Sequence, residues 1–310
     1  MVRVWVCLAL AASWARAANF ELIGQLEPEQ GVVVYLHGAT MPFRATAEAD
    51  LNGRFRFRRL PAGTYVLMVG ALQRTVEVGP SLADAKHRVK IRIRVPDQGS
   101  GLDLPGANRV SIGELSIPKD AQNEYEEAEK ALGHRDVPAA VAHLRRAVEI
   151  APSFAAAWNH LGTIAYQTGQ YVEAEADFGQ GLAADPEAYA PLVNLGGVLL
   201  SLGKWNEALA YNRRAVQENP NDALANSQLG MAYFYSGQMD PAEKYLTAAK
   251  RIDPSHFSHP QLLLAEIYLR RSQPGAAADE LQDLLNHHPD LANASKIRQE
   301  IARLRAESHQ

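Results

Sequence analysis

The sequence contains a single cysteine, Cys7, among its 310 residues. A chain with one thiol cannot form an internal disulfide bond, and from residue 8 onward it has no cysteine nucleophile. No apolar run reaches the length of about 18 residues that predicts a transmembrane helix. The sequence also lacks G-x-S-x-G, H-E-x-x-H, P-loop and G-x-G-x-x-G motifs, which argues against the enzyme classes that use them. We therefore predict no enzymatic activity and no cofactor.

The first 17 residues are typical of a secretory signal peptide. Arg3 supplies a positive charge, residues 4–12 (VWVCLALAA) form a short apolar core, and Ala15-Arg16-Ala17 matches the A-x-A cleavage pattern. The alternative is that this stretch forms a buried first strand or helix. We predict cleavage after Ala17, export to the periplasm or the extracellular space, and no membrane span after cleavage. Export argues against DNA or RNA as the partner.

Charge divides the remaining chain into two parts. Residues 19–96 carry 11 Lys and Arg against 7 Asp and Glu, whereas residues 119–310 carry 17 against 25. The net charge of −4 therefore combines a basic front part with an acidic rear part. Between them, residues 96–106 (PDQGSGLDLPG) are rich in proline and glycine and show no periodicity, which is typical of a linker. We predict a first domain at 18–96, a linker at 97–118 and a second domain from residue 119.

The rear part repeats with a period of 34 or 35 residues, marked by prolines at positions 152, 186, 220, 254 and 289. Leu-Gly pairs recur at 161–162, 195–196 and 229–230. The copy at 158–186 resembles the tetratricopeptide repeat (TPR) pattern W-x2-L-G-x2-Y, A-x3-F, P, although Asn212 replaces the phenylalanine one copy later. The resemblance implies five helix pairs in a right-handed solenoid spanning 119–289, with repeats at 121–154, 155–188, 189–222, 223–257 and 258–289.

After the last repeat, apolar residues recur at steps of three and four, with charged residues between them. They are Leu291, Ala294, Ile297, Ile301 and Leu304. This spacing places them on one side of a helix. We predict a capping helix at 290–310 that covers the last repeat, the alternative being a helix that binds a partner.

The front part alternates apolar and polar residues with a period of two, as half-buried strands do. Residues 24–38 (GQLEPEQGVVVYLHG) and 52–69 (NGRFRFRRLPAGTYVLMV) combine apolar strands with an Asn-Gly turn, F-x-F and L-P-x-G-x-Y-x-L. These motifs resemble the carboxypeptidase-regulatory or transthyretin-like β-sandwich, and a generic immunoglobulin-like sandwich is the alternative. The predicted fold class is thus multidomain, a small all-β sandwich followed by an all-α TPR solenoid.

Seven basic residues are predicted to share one solvent-exposed face of this sandwich. If the strands at 54–58 and 88–94 lie in one sheet, the same face carries Arg54, Arg56, Arg58, Arg88, Lys90, Arg92 and Arg94. Like charges at this spacing repel one another unless an acidic partner covers them. The acidic repeats are one candidate for that partner, and an anionic polymer of the cell envelope is another. A simple solvated sheet face is the alternative interpretation.

The TPR resemblance also implies which residues line the concave groove of the solenoid. Mapping those positions onto this sequence gives a polar strip and an apolar patch, formed by Asn159, Thr163, Tyr166, Met231, Phe234 and Tyr235. Exposed apolar groups of this size usually mark a contact site, while the alternative for part of the patch is core packing. We predict an apolar or mixed peptide or protein segment as the partner. Changing Phe234 and Tyr166 to alanine is expected to abolish binding without unfolding the chain.

The sequence therefore favours an exported, non-enzymatic scaffold for protein–protein interactions. The alternative is a cell-envelope protein that binds carbohydrate or an anionic polymer through the sandwich. Residues 19–96 contain no tryptophan and only two tyrosines, which weakens the carbohydrate alternative because sugar sites usually present aromatic platforms.

Four histidines are candidate metal ligands. His256 and His259 have an i, i+3 spacing, and His287 and His288 follow later in the chain. A metal site would need a third convergent ligand, so these histidines are interpreted as solvated turn residues. No metal and no catalytic residue is predicted.

Overall fold

Seven strands in the front part follow the alternation of apolar and polar residues. The computed structural model describes residues 19–70, 72–95 and 117–308, so the predicted signal peptide and nearly all of the predicted linker lie outside the described residues. The strands are β1 (Phe20–Glu27), β2 (Val33–Gly38), β3 (Arg44–Glu48), β4 (Arg54–Leu60), β5 (Gly63–Val69), β6 (Leu72–Val78) and β7 (Arg88–Arg94).

The strands form two sheets with a shared core. One sheet has three strands in the order β4-β1-β7, where β1 runs antiparallel to β4 and parallel to β7. The other has four antiparallel strands in the order β3-β2-β5-β6. Leu22, Leu26, Leu36, Tyr65 and Leu67 are completely buried in the single apolar cluster that the strands of both sheets build. The front part is therefore an all-β sandwich.

The turn between β3 and β4 explains the Asn-Gly signal. The Asp50 carboxylate accepts hydrogen bonds from the backbone N–H groups of Asn52 and Arg54, at 2.9 and 2.8 Å. Gly53 has a φ of 70°, which glycine adopts without strain because it has no Cβ. Farther along, the Tyr65 hydroxyl donates to the carbonyl oxygen of Pro61 at 2.9 Å and fixes the entry into β5.

Eleven helices follow among the described residues. They are α1 (Lys119–Gly133), α2 (Val137–Ile150), α3 (Ala155–Gln167), α4 (Tyr171–Ala184), α5 (Tyr189–Ser201), α6 (Trp205–Glu218), α7 (Ala223–Tyr235), α8 (Met239–Ile252), α9 (Pro260–Arg270), α10 (Pro274–His287) and α11 (Ala294–Ser308). The second helix of each of the five pairs ends two residues before a recurring proline. A proline disfavours helical geometry in the residue before it, which accounts for these ends.

The two helices of a pair pack closely because a glycine on the first helix faces a large side chain on the second. A Cβ on Gly162 would lie 2.6 Å from the Phe178 ring, and one on Gly230 would lie 2.7 Å from Leu246. Between the two helices of a pair, Gly169, Gly203 and Gly237 have φ values of 80°, 75° and 78° and end the first helix in left-handed geometry. The final helix α11 buries one apolar side, which belongs to the same core cluster as residues of α10.

Candidate functional site

The four-stranded sheet of the sandwich contacts the solenoid at two separate places. At the first, the Arg44 guanidinium of β3 forms a 2.6 Å ion pair with Glu129 of α1. The same guanidinium nitrogen lies 3.2 Å from His160 Nε2 of α3, so Nε2 can accept its N–H. The Tyr125 ring of α1 stacks on the His160 ring with a centroid distance of 5.1 Å. Arg44 is thus held between the first two helix pairs.

Burial at the first contact lowers the pKa values of two histidines. Burial, reinforced by the positive charge of Arg44, lowers the pKa of His37 to about 4 and the pKa of His160 to about 3. Both rings are therefore neutral at pH 7, which allows them to lie beside a guanidinium. The remaining cavity at this contact has a volume of 50 Å³, room for one or two water molecules only.

The second contact joins β6 to the turns after α8 and α10. Arg74 donates to the carbonyl oxygen of Ile252 at 2.9 Å, and the backbone N–H of Thr75 donates to the buried Asp253 carboxylate at 3.0 Å. Glu77 forms a short hydrogen bond with His288, whose side chain is completely buried. Ser81 follows with a backbone hydrogen bond of 3.2 Å to Asp290. The sandwich is thereby tied to both ends of the solenoid.

A group of aromatic residues remains exposed where the first helix of a pair turns into the second. We define the aromatic rim as Tyr166, Tyr171, Trp205 and Tyr235. The Tyr166 and Tyr171 rings lie 5.4 Å apart, and the Trp205 and Tyr235 rings stack at 4.6 Å. The Tyr166 hydroxyl lies 3.1 Å from that of Ser201, at the end of α5 in the next repeat. Tyr166, Tyr171 and Tyr235 are 39%, 38% and 43% exposed.

The seven predicted basic residues lie in the three-stranded sheet, on the two strands that flank β1. Six of them are exposed to solvent and the seventh, Arg88, is half-exposed. We call this surface the basic face. The ion pairs to the solenoid come from Arg44 and Glu77 of the other sheet instead. The hypothesis that the acidic repeats cover the basic face therefore has no supporting contact among the described residues.

Comparison with known protein families identifies the helical part. Tetratricopeptide repeat models match residues 125–189, 167–223 and 199–261. The chain contains tetratricopeptide repeats. The predicted fold class, a β-domain followed by an all-α TPR solenoid, is confirmed, while no match establishes the family of the sandwich. Proteins built from TPRs are protein–protein interaction scaffolds.

Two curated relatives share part of these repeats. A TPR repeat-containing protein of Rhizobium etli is 27% identical over 104 residues, which is 34% of this chain and 51% of that protein. The anaphase-promoting complex subunit CDC16 of Saccharomyces cerevisiae is 31% identical over 108 residues, 34% of this chain and 13% of that protein. The chain thus spans about half the length of the first relative and much less of the second.

Solved structures agree on the fold of the solenoid. PilW, a type IV pilus biogenesis factor, superposes with a TM-score of 0.55 at 22% identity, covering 62% of this chain and 89% of PilW. Pseudomonas aeruginosa PilF gives a TM-score of 0.53 at 19% identity, covering 62% of this chain and 86% of that chain. At these identities the likeness concerns the fold alone. No helix among the described residues is long and apolar enough to cross a membrane.

The predicted TPR groove residues lie in four different surroundings, the last of which is the core around Phe234 and Met231. Asn159 accepts a 2.8 Å hydrogen bond from Asn194 on the next first helix, so it links repeats. Thr163 donates to the carbonyl oxygen of Asn159 and lines the first contact with the sandwich. Tyr166 and Tyr235 belong to the exposed aromatic rim.

Phe234 lies in the core, which is the alternative that the sequence left open for part of the apolar patch. It is 7% exposed and belongs to a core cluster with Leu246, Leu264 and Ile267, while Met231 packs against that cluster. The Arg270 guanidinium lies over the Phe234 ring at 4.7 Å. Phe234 is a core residue, because the next helix pair covers it, and its replacement by alanine would destabilise the chain.

The interpretation of the histidines as solvated is wrong for His256 and His288, which are 4% and 0% exposed. Burial also lowers the pKa of His259 to about 3, and its ring lies 4.3 Å from that of His288. His287 is half-buried beside Asp283. The described residues contain no group of three or more side chains placed to hold a metal ion.

Three residues of the candidate site were not predicted from the sequence, namely Tyr171, Trp205 and Arg44. Tyr171 and Trp205 begin the second helices of neighbouring repeats and lie 34 positions apart, a spacing that the sequence displays. Arg44 gave no such signal, because its partners Glu129 and His160 lie 85 and 116 positions away along the chain.

Proposed function

We propose that the chain is an exported, non-enzymatic scaffold that binds a peptide or protein segment along the aromatic rim. The observation that carries this proposal is the exposure of three tyrosines, two in the second repeat and one in the fourth, with the half-buried Trp205 of the third repeat stacked on Tyr235. Exposed aromatic groups of this extent are uncommon on a surface without a partner, and tyrosine and tryptophan supply much of the binding energy at interfaces. The segment binds at the rim because the sandwich already contacts α1 and α3, the first helices of the first two repeats.

The charges around the rim specify the chemistry of the segment. The first turns of α4, α6 and α8 each carry an acidic residue, namely Glu173, Glu207 and Asp240. Glu173 and Asp240 also form ion pairs with Arg145 and Arg271, at 3.2 and 2.6 Å, but both carboxylates stay exposed to solvent. An aromatic surface bordered by carboxylates favours apolar side chains flanked by lysine or arginine, through burial, cation–π contact and ion pairing. We therefore propose an apolar segment with basic flanks.

Selection from a displayed library of random peptides tests the rim. Peptides selected on the intact chain should be apolar with basic residues, and they should bind the Tyr171→Ser, Tyr235→Ser variant at least about 10-fold more weakly, a loss of about 1.4 kcal/mol. The control variant Leu51→Ser, Leu82→Ser removes two exposed apolar side chains from the sandwich and should bind normally. Equal binding to the rim variant, or selection of acidic peptides, would disprove the proposal.

Export is tested separately on protein expressed from the full sequence. The A-x-A pattern at Ala15 to Ala17 leads us to expect a mature chain that begins at Ala18 and is recovered outside the cytoplasm. N-terminal sequencing of the recovered protein gives the answer. An intact Met1 in the exported fraction, or retention of the whole chain in the cytoplasm, would contradict the proposal.

A further inference from the structure

The basic face has the form of two rows of cations with a neutral floor between them. In the sheet register, Arg54 and Arg92 flank Gln25, and Arg56 and Lys90 flank Ile23. Each row repeats a cation every second residue, or about 7 Å, and the rows lie two strand spacings apart, about 10 Å. A depression of 370 Å³ between them is lined by Ile23, Gln25, Arg54, Lys90 and Arg92, together with Gly24 and Ile91.

Three acidic groups approach this face. Glu29 accepts a 3.3 Å hydrogen bond from Gln25 Nε2, and the other two, Glu21 and Glu27, lie at the ends of β1. Glu21 is 3.5 Å from Arg56 and 3.4 Å from Arg58, and Glu27 is 3.9 Å from Arg92. These are long contacts of exposed side chains, which contribute little to stability. Arg88 is held by Asp84 at 2.8 Å and contributes less free charge than the others. Positive charge is thus concentrated on both sides of Ile23 and Gln25, and the residues that line the depression include no carboxylate, although Glu29 reaches the Gln25 amide from outside it.

We propose that the basic face binds an anionic polysaccharide, with one acidic group of the polymer over Gln25 between Arg54, Lys90 and Arg92. The rows of cations fit a ligand whose negative charges repeat along its length. Gln25 donates one N–H to Glu29, and its other N–H and its amide oxygen can hydrogen-bond to sugar hydroxyl groups. Binding at this face is independent of the aromatic rim, which lies on the solenoid. The sandwich and the solenoid thus bind different ligands.

The side chains of the face disfavour other polyanions. Single-stranded nucleic acid needs aromatic side chains for its bases to stack on, but Phe55 and Phe57 of β4 point into the core. A membrane surface would be favoured by apolar side chains that insert into lipid, whereas Ile23 is half-buried in the floor of the depression. The acidic repeats of a second copy remain as a competing partner and are distinguished by the experiment.

Binding to polygalacturonate, a carboxylate polysaccharide, tests the proposal, with neutral dextran as the uncharged comparison. The intact chain should bind polygalacturonate and not dextran, and its affinity should fall steeply as salt is raised from 50 to 200 mM, about 10-fold or more. The face variant Arg54→Gln, Lys90→Gln, Arg92→Gln should bind about 10-fold or more weakly, with a shallower salt dependence. All three side chains are exposed, so the variant should fold normally, which its melting temperature checks.

A matched control removes the same charge from the solenoid. Arg251, Lys296 and Arg298 are exposed, and the variant Arg251→Gln, Lys296→Gln, Arg298→Gln should bind polygalacturonate within about 2-fold of the intact chain, because the lost charges are remote from the face. An equal loss of polygalacturonate binding in both variants would mean that net charge alone explains the binding, and it would overturn the proposal. Stronger binding to single-stranded DNA or to anionic lipid vesicles would overturn it in favour of those partners. Salt-sensitive dimerisation that the face variant loses would assign the face to a second copy instead.

Discussion

At the scale of single residues, Asn212 is a polar residue at a repeat position that is apolar in the two adjacent repeats. It occupies in the third repeat the position that Phe178 and Leu246 occupy in the second and fourth, facing Gly196 as they face Gly162 and Gly230. Its side chain is completely buried, and neither amide atom has a hydrogen-bond partner among the described residues. An unpaired buried amide costs about 1–3 kcal/mol, because it loses water without gaining a replacement.

We predict that Asn212→Leu raises the free energy of unfolding by about 1–3 kcal/mol. Leucine has nearly the branching of asparagine, so it fits against Gly196 while removing the unpaired polar atoms. The reverse change in the next repeat, Leu246→Asn, should lower the free energy by a similar or larger amount. Urea unfolding of both variants provides the measurement. A loss of stability in Asn212→Leu would show that the site is overpacked or that the amide has a partner.

At the scale of helices and strands, periodicity predicted what depends on local sequence. The helices α3, α5 and α7 begin at the predicted starts of repeats two to four, because recurring prolines and glycines fix where helices end. The period of two placed Phe55 and Phe57 inside the sandwich and the arginines of β4 outside. The same patterns could not distinguish Phe234 in the core from Tyr235 on the rim, since that depends on the neighbouring helix pair.

The choice of the docked sheet was beyond the sequence because it depends on contacts between distant residues. Charge alone favoured docking of the basic face on the acidic repeats. The sheet that docks instead carries Tyr35, Val66 and Met68 on its outer face, all half-buried, with Arg44 at its edge. Covering these groups costs less desolvation than covering seven cations. A half-buried ion pair, Arg44 with Glu129, therefore forms at the docked sheet, while the seven cations of the basic face stay outside the contact.

At the scale of the whole molecule, buried histidines lie at both contacts between the sandwich and the solenoid. His37 and His160 surround Arg44 at the first, and His256, His259 and His288 lie near Asp253 and Glu77 at the second. Burial lowers the pKa values of His37, His160, His256 and His259 below the ordinary value of 6.5. When the solution becomes acidic, each of these four rings either takes up a proton while buried, which costs free energy, or becomes exposed to water.

We predict that acidification from pH 7 to pH 5 destabilises the folded chain. Between pH 6.5 and the folded pKa values of about 3 to 4, the unfolded chain binds more protons than the folded one, so the free energy of unfolding falls as pH falls. Each histidine contributes up to about 2 kcal/mol at pH 5. Glu129, whose pKa burial raises, acts in the opposite direction and reduces the total. Urea unfolding at pH 7 and pH 5 measures the change.

Histidine variants determine whether this pH dependence arises at the contact between domains. In His160→Gln the side chain stays uncharged at every pH, so the difference in stability between pH 7 and pH 5 should shrink by about 2 kcal/mol. His134, exposed in the turn after α1, provides the control, and His134→Gln should leave the difference unchanged.

Small-angle scattering at pH 5 should show a larger radius of gyration for the intact chain, because protonation beside Arg44 favours separation of the sandwich from the solenoid. Equal stability at the two pH values, or an equal effect of both substitutions, would mean that the histidines at the contacts do not couple the domains to pH.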